Sequence, residues 1–257
     1  MRIVSPKVWI LGAGPGDPEL ITLKGLKTIQ SADVILYDAL ISMELLDYAP
    51  AGCKKIYVGK RKGHKEFPQE EINQLIVFYA TRYGCVVRLK GGDPNVFGRG
   101  HEEMEYVRRR GISVEMISGI SSVLAAPAAA GIPLTKRGVN ESFWVITGTL
   151  SSGEMSKDIA LAAQSTATVI ILMGMTHLEK IAGLFQQHRS PHEPMALIQQ
   201  ATTPDQKIAI GVAGDIFQRA IEMNISSPAV IVIGKVVNEN EITNVLVNVN
   251  SAVIGED

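Results

Sequence analysis

Short, near-continuous apolar runs alternate with longer amphipathic stretches along the chain. Val8–Leu11, Val34–Tyr37, Ile56–Val58, Val86–Leu89 and Val114–Ile117 read as strands buried on both faces. The stretches between them carry helical spacing. Pro68 opens a helix predicted over Gln69–Arg82, with Ile72, Leu75, Ile76 and Tyr79 on one face. Two further helices are predicted over Leu23–Ala32 and His101–Arg110. Strand alternating with helix predicts an α/β fold with a largely parallel sheet.

After residue 118 the strand register continues but its character changes. Phe143–Thr147, Thr168–Met173, Met195–Ile198, Lys207–Val212 and Ala229–Ile233 follow one another, with middle spacings short enough for some antiparallel pairing. Two α/β lobes, 1–117 and 118–257, joined near Ile117–Gly119, fit this better than one sheet. The small-residue stretch Ser121–Gly131 reads as the first helix of the second lobe. The Val- and Asn-rich tail beyond Asn240 reads as an added edge strand.

Charge and cysteine usage narrow the function class. A formal net charge of −1 gives no global pull toward nucleic acid or an anionic membrane, so any anion recognition is local. Cys53 and Cys85 lack metal-like spacing and suit a reducing compartment. Met1–Lys7 lead into a strand without a secretion pattern, and no apolar run approaches the about 20 residues of a membrane span. The expectation is a cytoplasmic protein.

Two glycine-rich loops carry the candidate chemistry. Gly12-Ala13-Gly14-Pro15-Gly16-Asp17-Pro18 follows the first strand and resembles a dinucleotide fingerprint, with Asp33 or Asp38 as the ribose acid. The third fingerprint glycine falls at Asp17, which puts a carboxylate where pyrophosphate would sit. That suits a ligand without phosphates; the plain alternative is a tight strand–helix turn. Arg88-Leu89-Lys90-Gly91-Gly92-Asp93-Pro94 stands at another strand's carboxyl end, where ligands of α/β sheets gather. Downstream, Glu102 and Glu103 open a helix and complement its dipole. Lys60-Arg61-Lys62 and Lys136-Arg137, set beside Arg88, Lys90 and Arg99, read either as solvated surface or as a local anion site. His188 and His192 are separated by Pro191, which argues against a helical metal pair, and no metal site is expected. By composition Met173-Gly174-Met175 reads as core.

At these residues the chain resembles the uroporphyrinogen-III C-methyltransferases of the tetrapyrrole methylase superfamily. The resemblance runs in order from about residue 7 to 237. It is carried by GAGPGDPEL from Gly12, Tyr37-Asp38, Val58-Gly59-Lys60-Arg61, Pro68–Asn73, Arg88–Glu103, Gly131–Thr135, Met173-Gly174, Ala201–Pro204 and Pro228–Gly234. The glycine loops mark the superfamily; the VGKR, PQEEIN and RLKGGDP-x-VFGRG stretches point to the uroporphyrinogen enzymes. It implies a homodimer whose two α/β lobes hold S-adenosyl-L-methionine in the cleft between them. Carried over by motif, the cofactor contacts are Pro15, Gly91, Gly92, Asp93, Val96, Ser121, Ser122, Met173, Ala201, Pro228, Ala229 and Val230. Ser121-Ser122 replaces the usual Thr-Ala, Ser118 a proline, Leu172 a common tyrosine, and Ala39 an arginine that commonly follows the aspartate.

The reaction so implied methylates C2 and C7 of uroporphyrinogen III, giving precorrin-2 and S-adenosyl-L-homocysteine for sirohaem or cobalamin synthesis. The electron-rich pyrrole carbon attacks the methyl group directly, so positioning dominates catalysis. Lys60, Arg61 and Lys136 are expected to grip substrate carboxylates, and Asp38, Arg99 and Glu102 are the catalytic candidates. Arginine stays protonated, so Arg99 suits an anion clamp and Asp38 or Glu102 the base. Three rivals remain: another precorrin methyltransferase, a nicotinamide-dependent oxidoreductase, and a non-catalytic tetrapyrrole-binding protein.

Overall fold

The computed structural model describes residues 5–59 and 67–239, so Lys60 and Arg61 and the tail beyond Asn240 lie outside the described residues. The chain forms two compact units, Met1–Ser122 and Val123–Asp257, each with its own five-stranded sheet.

In the first unit the elements are β1 (Lys7–Gly12), α1 (Leu23–Ile29), β2 (Val34–Tyr37), β3 (Lys54–Tyr57), α2 (Gln69–Tyr83), β4 (Cys85–Lys90), α3 (Gly100–Arg108) and β5 (Ser113–Ile117). The sheet order is β3-β2-β4-β1-β5 and every pairing is parallel. Both faces are covered, which is why the strands read as apolar runs. Val8, Ile10, Val34, Leu36 and Val86 pack with Ile72, Ile76 and Ala80 of α2 and Val107 of α3. Leu11, Ile35, Val87 and Leu89 pack on the other face with Ile29 of α1.

α1 stops three residues before the predicted end. The Ser31 hydroxyl donates to the Thr28 carbonyl at 3.0 Å, and the chain turns into β2. Asp33 then accepts from the Cys85 amide at 2.8 Å, tying the start of β2 to the start of β4. α3 ends at Arg108, and left-handed Gly111 turns the chain after it, its amide donating to the Arg108 carbonyl.

α4 (Ser122–Ala129) starts on the last residue of the first unit, and the second unit continues with β6 (Phe143–Thr147), α5 (Asp158–Ala163), β7 (Thr168–Leu172), α6 (Leu178–His188), β8 (Pro194–Gln199), β9 (Lys207–Val212), α7 (Ile216–Glu222) and β10 (Ala229–Ile233). Its order is β6-β7-β10-β8-β9. β6 and β7 are parallel, whereas β10 runs antiparallel to both neighbours and β8 to β9. The antiparallel pairing expected from the short spacings is therefore present. The sequence reading named no helix after Gly131, yet α6 carries Leu178, Ile181, Ala182 and Phe185 on one buried face. Arg189, just past α6, donates to the carbonyls of Ala162, Ala163 and Ala167 and pairs with Glu193 at 2.7 Å. It thus satisfies the carbonyl end of α5 from outside that helix.

Candidate functional site

Three loops meet at the carboxyl ends of the adjacent strands β4, β1 and β5. Gly14 and Gly92 exchange backbone hydrogen bonds at 3.2 and 2.7 Å, and the Ala13 amide donates to the Lys90 carbonyl at 2.7 Å. A Cβ at Gly12 would stand 2.5 Å from the Gly119 nitrogen and 2.7 Å from the Gly92 oxygen. No side chain fits between these backbones, so the glycines at 12 and 119 are required by close approach. Gly92 differs: its φ is +67°, and a Cβ there would meet only the Ser122 nitrogen, at 3.9 Å. Beside Gly92 there is room for a ligand.

The carboxylates of these loops bind the loops themselves. Asp93 accepts from the Gly119 amide at 3.0 Å and from the Asn95 amide at 2.8 Å. Asp17 accepts from the Glu19 amide at 2.8 Å and caps the short helix Pro18–Leu20. Pro15 and Val96 are half-buried, Ser121 is buried and Ser122 half-buried. Asp33, one of two candidate ribose acids, stands at the opposite, amino end of the sheet, on the Cys85 amide. The dinucleotide reading loses that acid on geometry.

Asp38 follows β2 on the sheet face that carries Val34 and Leu36, beside Arg88 and Lys90 of β4. Arg88 Nη2 donates to Asp38 Oδ1 at 2.5 Å and Arg88 Nε to Glu103 Oε1 at 3.2 Å. Lys90 Nζ lies 3.0 Å from Glu103 Oε1 and 3.8 Å from Asp38 Oδ2. Gln69 Nε2 at the start of α2 also donates to Glu103 Oε1, at 3.0 Å. Burial opposes the charge of Arg88, but Glu103 and Asp38 outweigh it and raise its pKa. For Lys90 burial, aided by repulsion from Arg88, prevails over the same two carboxylates and lowers the pKa. Arg88 and Lys90 are therefore buried and paired with carboxylates, which corrects the reading of them as part of a local anion site.

Glu103 was missed as a functional candidate and read only as a dipole complement. The available signal was Arg-Leu-Lys in a central strand, since two cations on one buried face demand a carboxylate opposite.

The other catalytic candidates stand in solvent. Phe97 and Arg99 both have left-handed backbones, φ 51° and 56°, on either side of Gly98, whose Cβ position is blocked by the Pro94 carbonyl. Non-glycine residues in that region cost about 1–3 kcal/mol each and concentrate at functional sites. Arg99 pairs in bidentate fashion with Glu102, at 2.7 and 2.9 Å. Lys136, in the second unit, is paired with Glu239.

In the second unit the strand register brings Met173, Ala201 and Pro228–Val230 to one end of the sheet. Met173 has φ 55° and is 51% exposed, so it does not belong to the core as its composition suggested. The cause is the turn after β7: a Cβ at Gly148 would stand 2.3 Å from the Gly174 α-carbon, and Thr149 Oγ1 donates to the Met173 carbonyl at 2.7 Å. Ala201 is buried between two left-handed residues, Gln200 and Thr202, and the Gln200 amide donates to the Pro228 carbonyl at 3.2 Å. Val230 is buried and Ala229 half-buried. No group of three or more His, Cys, Asp or Glu among the described residues could hold a metal ion. No helix among them is long and apolar enough to cross a membrane.

The sequence pattern of the Tetrapyrrole (Corrin/Porphyrin) Methylases matches residues 7–216. The chain belongs to this family. Among tetrapyrrole methylases it is 50% identical to the uroporphyrinogen-III C-methyltransferase of Methanocaldococcus jannaschii, over 90% of this chain and 97% of that one. It is similar to the crystal structure of uroporphyrin-III C-methyl transferase from Thermus thermophilus complexed with S-adenyl homocysteine. There the identity is 37%, the TM-score 0.77, and 90% of this chain and 99% of that one are covered. The cobalt precorrin-4 methyltransferase structure gives a TM-score of 0.81 at 30% identity, over 90% and 95% of the two chains. Backbone likeness therefore does not separate substrates within the tetrapyrrole methylases. The chain spans 47% of the siroheme synthase of Psychrobacter sp., to which it is 42% identical.

Proposed function

We propose that this chain is an S-adenosyl-L-methionine-dependent uroporphyrinogen-III C-methyltransferase, methylating C2 and C7 to give precorrin-2. The observation that carries the reading is the 50% identity with a uroporphyrinogen-III C-methyltransferase along nearly its whole length. The loops fit the cofactor chemically. Their cation, Lys90, is buried against Glu103, and Asp17 and Asp93 stand among the glycines, so a pyrophosphate there would meet carboxylates. A cationic sulfonium ligand avoids that repulsion.

We assign Pro15, Gly91, Gly92, Asp93, Val96, Ser121 and Ser122 of the first unit to the cofactor, mainly through backbone. From the second unit we assign Met173, Ala201, Pro228, Ala229 and Val230. When bound, S-adenosyl-L-methionine supplies an electrophilic methyl group that an electron-rich pyrrole carbon can take directly. The chain's own residues then orient substrate and move one proton for each methyl group transferred. Arg99 clamps a substrate carboxylate, which displaces Glu102 from its guanidinium. Asp38 or the released Glu102 receives the proton that the macrocycle loses. Lys60, Arg61 and Lys136 hold further carboxylates, Lys136 by exchanging its bond to Glu239. The resemblance supports one further part of the proposal, that the protein works as a cytoplasmic homodimer.

The deciding experiment is anaerobic incubation with uroporphyrinogen III and methyl-labelled S-adenosyl-L-methionine. A doubly methylated product is expected. Absence of label transfer would exclude the function, and transfer only to a later corrin precursor would favour another precorrin methyltransferase. S-adenosyl-L-homocysteine should raise the melting temperature where NAD does not.

A further inference from the structure

Glu103 is fully buried at the first turn of α3, and a single oxygen does all its work. Oε1 accepts from Arg88 Nε, Lys90 Nζ and Gln69 Nε2, at 3.2, 3.0 and 3.0 Å. Oε2 is buried without a hydrogen-bond partner among the described residues. An unmatched carboxylate oxygen in the interior is costly, and apolar side chains of similar volume often serve stability as well as a buried ionic cluster. What such a cluster supplies beyond stability is direction. Arg88 is 2% exposed, and each of its nitrogens is aimed: Nε at Glu103, Nη2 at Asp38, Nη1 at the carbonyls of Leu36 and Leu89. A planar guanidinium fixed at so many points cannot rotate, so the direction of Nη2 is set from the Glu103 end. Of the four charged groups, only Asp38 reaches solvent appreciably, its side chain 25% exposed. The cluster thus opens outward at one carboxylate, at the same end of the sheet as the glycine loops.

We propose that Glu103 is a positioning residue for methyl transfer, which acts through Arg88 and Lys90 to fix the orientation of the Asp38 carboxylate. Arg88 engages Oδ1, and Oδ2 stands 3.8 Å from Lys90, beyond hydrogen-bond reach and available to substrate. The first turn of α3 therefore serves both kinds of catalytic candidate. Glu102 faces outward to Arg99, and Glu103 faces inward to the cations behind Asp38. The proposal rests on the assignment of Asp38 to the reaction.

A double-mutant cycle in turnover tests it. Glu103→Gln keeps the shape and Asp38→Asn removes the positioned charge. Each alone should lower kcat about 10- to 100-fold, the scale of a misplaced catalytic group, with KM for S-adenosyl-L-methionine within about twofold. The double variant should be no slower than the slower single one, because Glu103 has no action left once Asp38 is altered. Arg88→Lys, which removes the planar fork, supplies the same cycle where Glu103→Gln fails to fold. Multiplying losses would overturn the proposal, since a merely structural glutamate acts independently of Asp38. Full kcat in Glu103→Gln beside a slow Asp38→Asn would overturn it too. Wild-type kcat in Asp38→Asn would sink the Asp38 assignment and this proposal together while methyl transfer stands. Only a wild-type protein that transfers no label to uroporphyrinogen III would sink the proposed function.

Discussion

Two ionic arrangements share the first turn of α3 and differ in almost everything but distance. Arg99 and Glu102 pair at 2.7 Å with side chains 56% and 51% exposed, whereas Glu103 meets Arg88 and Lys90 at 3.2 and 3.0 Å in the interior. The shorter bond is the weaker commitment. Water screens the outer pair and stands ready to replace either partner, so such pairs contribute about 0–1 kcal/mol. The inner groups have no such substitute. An exposed arginine is therefore free to exchange its partner for a ligand, and a buried one is fixed in place. One turn of helix joins an adjustable clamp to a rigid frame.

The largest effect should come from breaking the frame. Arg88→Met leaves Glu103 and Asp38 facing one cation fewer and should cost about 3–5 kcal/mol, read by urea titration. Retention of wild-type stability would mean the interior cluster is as replaceable as the outer pair. Arg99→Ala should change stability by no more than about 1 kcal/mol while turnover on uroporphyrinogen III falls strongly. Equal losses in both would erase the distinction between clamp and frame. The smallest effect tests an exposed pair that also caps backbone. Asp215 accepts from the Val212 amide at 2.8 Å and from Arg219 Nε at 2.7 Å. Burial pushes its pKa up, but the Val212 amide and Arg219 outweigh this and hold it below the ordinary 3.8. Its stabilisation is therefore present above the unfolded value and lost as pH falls through the folded one. Asp215→Asn should be slightly less stable than wild type near neutral pH, and the gap in melting temperature should close below about pH 3.8. A gap independent of pH would show that the cap, not the charge, matters.

Strands were legible in the sequence because burial on both faces leaves an unbroken apolar run. Val34–Tyr37, Phe143–Thr147, Lys207–Val212 and Ala229–Ile233 have the predicted bounds; the strand predicted over Thr168–Met173 stops at Leu172, that predicted over Ile56–Val58 runs Lys54–Tyr57, and the others extend by a residue or two. Helices α5, α6 and α7 went unnamed; α6 carries a readable stripe, while α5 and α7 are only six and seven residues long. Glycine and proline punctuate backbone, so the loops after β1 and β4 stood out. The third loop, at Gly119, did not, because its glycine is explained only by Gly12 and Gly92 across the sheet. Glu102 and Glu103 look alike in sequence. Which of two adjacent glutamates faces inward depends on how α3 is rotated against β4, and that is a tertiary fact. Met173 was misjudged as core for a related reason: hydrophobicity says nothing of a left-handed turn that points the side chain outward.

The meeting of Gly12, Gly92 and Gly119 also bears on how the protein comes into being. Its three walls are contributed by chain segments far apart in sequence, and the contact is backbone against backbone. Such non-local closure follows strand pairing and cannot precede it. During synthesis β1 and β4 are complete while the third wall has yet to be made. A growing chain that has not passed Gly119 lacks the amide that holds Asp93. It therefore cannot assemble the completed three-loop cluster, whatever cofactor surrounds it.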